Sequence, residues 1–253
     1  MADERLPTGV KELDSLLEGG IPKGLNILVK GMTGTGKTTF ALQFLVNGAR
    51  NGEKCMYLTF EESADQIVRY GSKFFPDLKK HIDNGLIQIL DFSPHTKIRD
   101  NVRIIEGQRV EIPSKDDVDS VSYIQNKILD IRGQTIQRVV IDSLQTFATT
   151  FVDLSGKSDP EDLRRTLSKI LVLLKKEGII TYILSEESEE QPDKFGFTSF
   201  TVDGIFVFKV NEALDLRTLK ISKMRGTKHT LKPLSIKLAE GEGIVMTEQK
   251  HGT

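Results

Sequence analysis

Gly31-Met32-Thr33-Gly34-Thr35-Gly36-Lys37-Thr38 satisfies G-x-x-x-x-G-K-[ST] at every fixed position. Each residue type has a physical reason. Glycines let the backbone wrap closely and turn its N–H groups toward phosphate oxygens. Lys37 supplies a point charge for β- and γ-phosphates, and the Thr38 hydroxyl suits a magnesium ion. The preceding run Leu25-Asn26-Ile27-Leu28-Val29 reads as a buried strand ending at Gly31. Residues 37–51 read as a helix, with Phe40, Phe44 and Leu45 on one apolar face. A loop between strand and helix directs the helix's positive end at the same anion. Thr33, Gly34, Thr35, Gly36, Lys37, Thr38 and Thr39 are therefore the expected nucleotide contacts.

Outward from this loop, short β-type runs alternate with helical segments. Strands are expected at 55–60, 86–92, 138–142 and 179–184, and helices at 64–73, 117–131 and 160–177. Pro160, Glu161 and Asp162 suit a helix start. Continuous apolar strands joined by helices predict an α/β fold, with a mainly parallel sheet covered on both faces. Four later runs, at 205–210, 216–222, 234–238 and 244–247, have turn residues between them. They read as antiparallel additions to one sheet edge. Residues 93–115 fit least well, and within them 102–112 suggest a hairpin turning at Glu106-Gly107. No repeat or linker divides the chain, so residues 1–253 are read as one domain.

The chain has 253 residues, 38% hydrophobic and 28% charged, an ordinary globular composition that buries a sizeable core. A net charge of −1 gives no sign of a protein that coats nucleic acid or anionic membrane. The single cysteine, Cys55, excludes an intrachain disulfide and reads as a buried core thiol. The first residues lack a signal-peptide pattern, and no apolar run approaches the ~20 residues of a membrane span. The expected address is the cytoplasm, without a membrane partner.

Acidic residues complete the chemistry. Val139-Val140-Ile141-Asp142 is an apolar strand ending in aspartate, and a carboxylate there can hold the water shell of Mg²⁺. The alternative is that Asp142 caps the following helix. Glu61 and Glu62 follow the strand ending at Phe60, which is expected beside the phosphate-loop strand. A carboxylate at that strand end can orient and deprotonate an attacking water. Two adjacent glutamates also suit a solvated surface.

Several segments in order resemble the KaiC-like branch of the RecA/RadA ATPase superfamily. Thr8-Gly9-Val10-Lys11-Glu12-Leu13-Asp14 and Gly19-Gly20-Ile21-Pro22-Lys23-Gly24 are similar to its entry segment. Thr59-Phe60-Glu61-Glu62 matches its catalytic glutamate pair, and Ile141-Asp142-Ser143-Leu144 its metal-binding strand end. Lys223-Met224-Arg225-Gly226-Thr227-Lys228-His229 is similar to its Lys-x-Arg-Gly-Thr-x-His segment. The resemblance implies a RecA-like P-loop fold, ATP and Mg²⁺ as ligands, and a hexameric ring with ATP at subunit interfaces. It implies catalytic roles for Glu61, Glu62, Lys37, Lys223 and Arg225, and metal roles for Thr38, Asp142 and Glu62. Lys223, Arg225, Gly226, Thr227 and His229 are then nucleotide contacts supplied to the neighbouring subunit. From the residues alone, Lys223 and Arg225 read as a solvated strand end, and His229 reads equally well as an isolated exposed histidine. The clock protein that names this family carries two such domains in tandem and this chain one, so a double-ring timing mechanism does not transfer. Thr198, Ser199 and Thr201 lie in a segment comparable to its phosphorylated pair, but their flanks match poorly, so self-phosphorylation is not favoured.

Three functions are compatible with these features. One is slow ATP hydrolysis coupled to ring shape or to an unidentified protein partner. A second is a nucleotide-gated interaction module with little turnover, and a third is a recombinase-type DNA repair protein. DNA binding rests on Lys and Arg neutralising phosphates. The loops expected to face a channel argue against it. Residues 147–159 carry only Lys157, and residues 186–200 carry Glu186, Glu187, Glu189, Glu190 and Asp193 against Lys194.

Overall fold

A computed structural model of the chain describes residues 4–93, 102–105, 108–111, 135–148, 160–186 and 201–247. Its centre is a nine-stranded sheet. The strands are β3 (Asn26–Lys30), β4 (Lys54–Thr59), β5 (Ile87–Asp91), β8 (Ile136–Asp142), β9 (Ile180–Ser185), β10 (Gly204–Asn211), β11 (Leu216–Met224), β12 (Leu234–Ala239) and β13 (Gly243–Met246). Their order is β13-β12-β11-β10-β3-β9-β8-β4-β5. From β10 through β5 every neighbour is parallel, and β11, β12 and β13 extend the β10 edge antiparallel. This is the α/β architecture expected from the sequence, antiparallel C-terminal strands included.

One expectation about this sheet is corrected. β4, which leads to Glu61 and Glu62, does not lie beside the phosphate-loop strand β3. It pairs with β8 and β5, while β3 pairs with β9 and β10. Apolar runs announce that strands exist, but parallel pairing is set by packing between segments distant in sequence. The consequence drawn from the expectation survives, because all six parallel strands point the same way. The carboxyl ends of β3, β4 and β8 therefore share one edge.

Two apolar layers cover the sheet, and strand alternation sorts side chains between them. On one face Ile27, Val29, Tyr57, Val140, Tyr182 and Leu184 pack against helix α2 (Lys37–Arg50). The short helix α1 (Lys11–Leu16), α3 (Ala64–Phe74) and α4 (Leu78–Asp83) cover the same face. On the other, Leu28, Leu58, Val139, Ile141 and Ile183 meet Leu167, Leu171 and Leu174 of α5 (Pro160–Lys176). The rings of Phe44 and Tyr182 stack at 4.0 Å, fixing α2 over the centre of the sheet. Cys55 is buried as expected, and burial pushes its thiol up to about 12.

Arg138, at the start of β8, is wholly buried. It donates to Glu53 through Nε at 2.5 Å and Nη2 at 3.1 Å. Its Nη1 donates to the Pro7 carbonyl at 2.7 Å and the Phe44 carbonyl at 2.8 Å, and its guanidinium lies over the Phe44 ring. A second clasp on α2 is Gln43. Its Nε2 donates to the Gly9 and Ile244 carbonyls at 2.8 and 3.1 Å, and its Oε1 accepts from Ile244 N–H at 2.7 Å.

Smaller elements went unread in the sequence: α1, α4, and the two-residue pair β1 (Arg5–Leu6) and β2 (Ile21–Pro22). The hairpin reading agrees with β6 (Val102–Ile105) and β7 (Gln108–Glu111), which pair antiparallel with Ile105 opposite Gln108. The helix expected at 117–131 lies outside the described residues. No helix among the described residues is long and apolar enough to cross a membrane.

Candidate functional site

The loop between β3 and α2 has the geometry its residues require. Gly36 precedes the helix at φ 105°, a left-handed conformation that L side chains rarely adopt. Gly31 lies so close to β10 that an added Cβ would meet the Phe208 carbonyl oxygen at 2.5 Å. Thr35 is buried and donates through Oγ1 to the Met32 carbonyl at 2.8 Å. Lys37 reaches back over the loop, its Nζ donating to the Gly31 and Met32 carbonyls at 2.7 and 3.0 Å. Burial holds its pKa below the usual lysine range, against the opposing charges of Glu186, Asp142 and Glu61.

Those carboxylates come from three other strand ends on the same edge. Asp142 ends β8, and one of its oxygens accepts from the Tyr57 hydroxyl. Burial raises the Asp142 carboxyl to about 6. The Tyr57 hydrogen bond opposes this, Glu61 and Glu62 add to it, and Lys37 opposes it. Burial, with the nearby Asp142 charge, holds the Tyr57 phenol well above its ordinary range. Asp142 does not cap the helical turn at 144–148, since that place belongs to Ser143, whose Oγ accepts from Thr146 N–H at 3.4 Å.

Glu61 and Glu62 occupy the connection from β4 to α3. The Thr59 hydroxyl fixes it by donating to the Glu62 carbonyl at 2.6 Å. Directly after the pair, Ser63 and Gln66 form a capping box, and the buried Asp91 at the end of β5 accepts from Ala64 N–H at 2.9 Å. Desolvation, then the like charge of Glu61, raises the Glu62 carboxyl. Tyr70 on α3 lies beside Thr38 and Thr39 and closes the group, and burial pushes its phenol up to about 12.

The segment Lys223–His229 is elsewhere. β11 runs antiparallel to β10, with Met224 opposite Gly204, and Gly204 lies opposite Ile27 near the start of β3. Lys223, Arg225, Gly226, Thr227 and His229 therefore lie at the amino edge of the parallel strands, and Lys37 at the carboxyl edge. The five residues of β3 put roughly 17 Å between the edges. The structure thus brings together Thr33 through Thr39, Glu61, Glu62 and Asp142, and separates the second group from them.

That second group has its own framework. Arg225 Nη1 and Lys175 Nζ both donate to Oδ1 of buried Asp203, at 3.2 and 2.7 Å. The Lys223 ammonium donates to the Val202 carbonyl at 2.6 Å, and His229 Nδ1 approaches the Thr227 carbonyl at 3.0 Å. Arg5 Nη1 donates to Thr227 Oγ1 at 2.9 Å and to the Leu17 and Gly20 carbonyls. A cavity of about 440 Å³ opens here, beside Lys23, Lys175, Asp203 and Arg225.

Sequence reasoning missed Tyr57, Tyr70, Arg5, Lys175 and Asp203. Glu186, read as part of a channel loop, instead accepts from the Thr33 hydroxyl at 2.6 Å. Its signal was its place directly after β9. The rest of both expected channel loops, 149–159 and 187–200, lies outside the described residues, as do Thr198 and Ser199.

The donors fit the ligands the loop implies. A glycine cradle at a helix start suits a polyphosphate. Thr38 and Asp142 offer the hard oxygens that magnesium prefers, and a dication beside a carboxyl raised to about 6 favours its ionised form.

Comparison with known proteins agrees with the fold. The family model described as the KaiC ATPase matches residues 6–251. The circadian clock oscillator protein KaiC of Prochlorococcus marinus is 32% identical over 238 residues, covering 90% of this chain and 42% of that protein. KaiC of Synechococcus elongatus is 32% identical over 230 residues, covering 89% and 41%. The chain thus spans about two fifths of the length of these relatives. The crystal structure of a KaiC-like protein from the archaeon Pyrococcus horikoshii superposes with a TM-score of 0.76 at 28% identity, covering 97% of this chain and 100% of that one.

Proposed function

The chain belongs to the KaiC family of ATPases, and from that premise we propose that it binds Mg²⁺-ATP at the Lys37 loop and hydrolyses it slowly between the subunits of a ring. The observation that carries this reading is the separation of two groups of residues on opposite edges of one sheet. Lys223 and Arg225 have no path to the phosphates bound by their own chain. Stacked head to tail, one copy's amino edge meets the next copy's carboxyl edge, and repetition of such a contact closes a ring. A hexamer is the closure the family suggests, with residues 1–253 as one ATPase unit.

Within each interface, the loop amides and Lys37 bind the β- and γ-phosphates. Thr38 and Asp142 would hold magnesium, which supplies charge neutralisation on the phosphate oxygens. Glu61 and Glu62 orient the attacking water and take its proton, and Glu62 assists at the metal's water shell. Arg225 and Lys223 of the neighbouring copy stabilise charge on the transferring phosphoryl group. The nucleotide state then sets ring conformation or the affinity for a protein partner. The readout is native mass with ATP, with ADP and without nucleotide, beside phosphate release. Glu61→Gln with Glu62→Gln should abolish release and leave ATP-dependent assembly intact. ATP-dependent assembly of the wild type without any release would instead select a nucleotide-gated module, and a monomer under all conditions would sink the ring.

A further inference from the structure

Tyr57 is buried within an apolar strand, where a phenylalanine would serve packing equally well. Its hydroxyl donates to Asp142, the carboxylate assigned to magnesium. The juxtaposition follows from strand register. β4 and β8 are parallel, with Tyr57 opposite Val140 and Thr59 opposite Asp142. Tyr57 and Val140 both face α2, and Asp142, two residues beyond Val140, shares that face. The phenol therefore extends along the sheet toward the strand end and meets the carboxylate on the side where α2 begins with Lys37 and Thr38.

We propose that Tyr57 is a positioning residue for the magnesium site, acting through Asp142. A carboxylate at a strand end rotates freely about its terminal bond unless something holds it. The phenol engages one of its two oxygens, which fixes the plane of the group and directs the other toward the phosphate edge. Partners behind a metal-bound group tune affinity even though they never touch the ion. This inference rests on the assignment of Asp142 to magnesium.

Tyr182 provides an internal control. It is also wholly buried, packs on the same face of the sheet, and its hydroxyl has no hydrogen-bond partner among the described residues. Tyr57→Phe and Tyr182→Phe thus remove the same atom from the same apolar layer, and only the first lies against Asp142.

The experiment is calorimetric titration of the full chain with ATP over a series of free magnesium concentrations. It compares wild type, Tyr57→Phe, Tyr182→Phe and Asp142→Asn. Tyr57→Phe should raise the half-saturating magnesium concentration about tenfold, the low end for loss of such a partner. ATP affinity in excess chelator should stay at the wild-type value, and Tyr182→Phe should follow wild type throughout. A Tyr57→Phe curve that superimposes on wild type, or equal shifts in both tyrosine variants, overturns the inference and leaves the site assignment standing. A magnesium dependence unchanged in Asp142→Asn overturns both.

Discussion

The opposite-edge arrangement makes a quantitative prediction about mixtures. Lys37→Ala removes the loop cation and leaves Arg225 intact, and Arg225→Ala does the reverse. If each centre combines the loop of one chain with the arginine of its neighbour, a ring of either variant alone is inactive. Loss of a trans arginine alone costs on the order of 10³-fold or more in turnover. After subunit exchange in an equal mixture, a given interface takes its loop from an Arg225→Ala chain half the time, and its arginine from a Lys37→Ala chain half the time. About one quarter of interfaces are then complete, whatever the number of subunits in a closed ring. Phosphate release, measured across mixing fractions at constant total protein, should trace a parabola peaking near 25% of wild type. Should Arg225 serve its own chain, no mixed interface holds both groups, and activity stays at the sum of two inactive proteins. A flat profile, with exchange verified by native mass, refutes the geometry. The roughly 17 Å along β3 makes that outcome a contradiction of the fold and not only of the mechanism.

Two further predictions concern stability. Arg138→Met strands Glu53 as an unpaired carboxylate and frees the Pro7 and Phe44 carbonyls, so it should cost about 3–5 kcal/mol in urea unfolding. Adding Glu53→Gln should recover part of this loss, and a double variant as unstable as the summed singles would contradict a shared ion pair. Arg50 holds the Asp77 carboxyl down at about 2 through Nε and Nη2 bonds of 2.7 and 2.8 Å. A depressed carboxylate stabilises above its unfolded pKa of 3.8 and loses that contribution as pH falls toward 2. Solvent screening at this half-exposed pair reduces the contribution to about 1 kcal/mol. The deficit of Asp77→Asn relative to wild type should therefore narrow below pH 4, and a constant deficit from pH 7 to pH 3 would count against it.

The phosphate loop was legible because its chemistry is local, with eight consecutive residues specifying turn, cation and helix start. The strands were legible for a similar reason, and observed bounds such as Asn26–Lys30 and Ile180–Ser185 fall within a residue or two of the apolar runs. Pairing was not legible. Nothing in Cys55-Met56-Tyr57-Leu58-Thr59-Phe60 says that β8 and not β3 is its neighbour. Tyr57 and Arg138 looked like ordinary members of strands, since their roles depend on partners 85 residues away, Asp142 and Glu53. Arg5 escaped notice similarly, because it holds Thr227 across 222 residues. The second edge was legible only as a resemblance. Lys-x-Arg-Gly-Thr-x-His carries no physical signature of its own until β11 sets it opposite the loop.

Gln43 ties the segment ahead of the phosphate loop and the outermost strand β13 to one helix through a single amide. Mechanically, these two distant stretches of chain are coupled in series, with α2 as the common link. Anything that grips β13 pulls on the helix whose first turn carries Lys37 and Thr38, without touching a nucleotide. The rim of the sheet is therefore a handle on the phosphate loop.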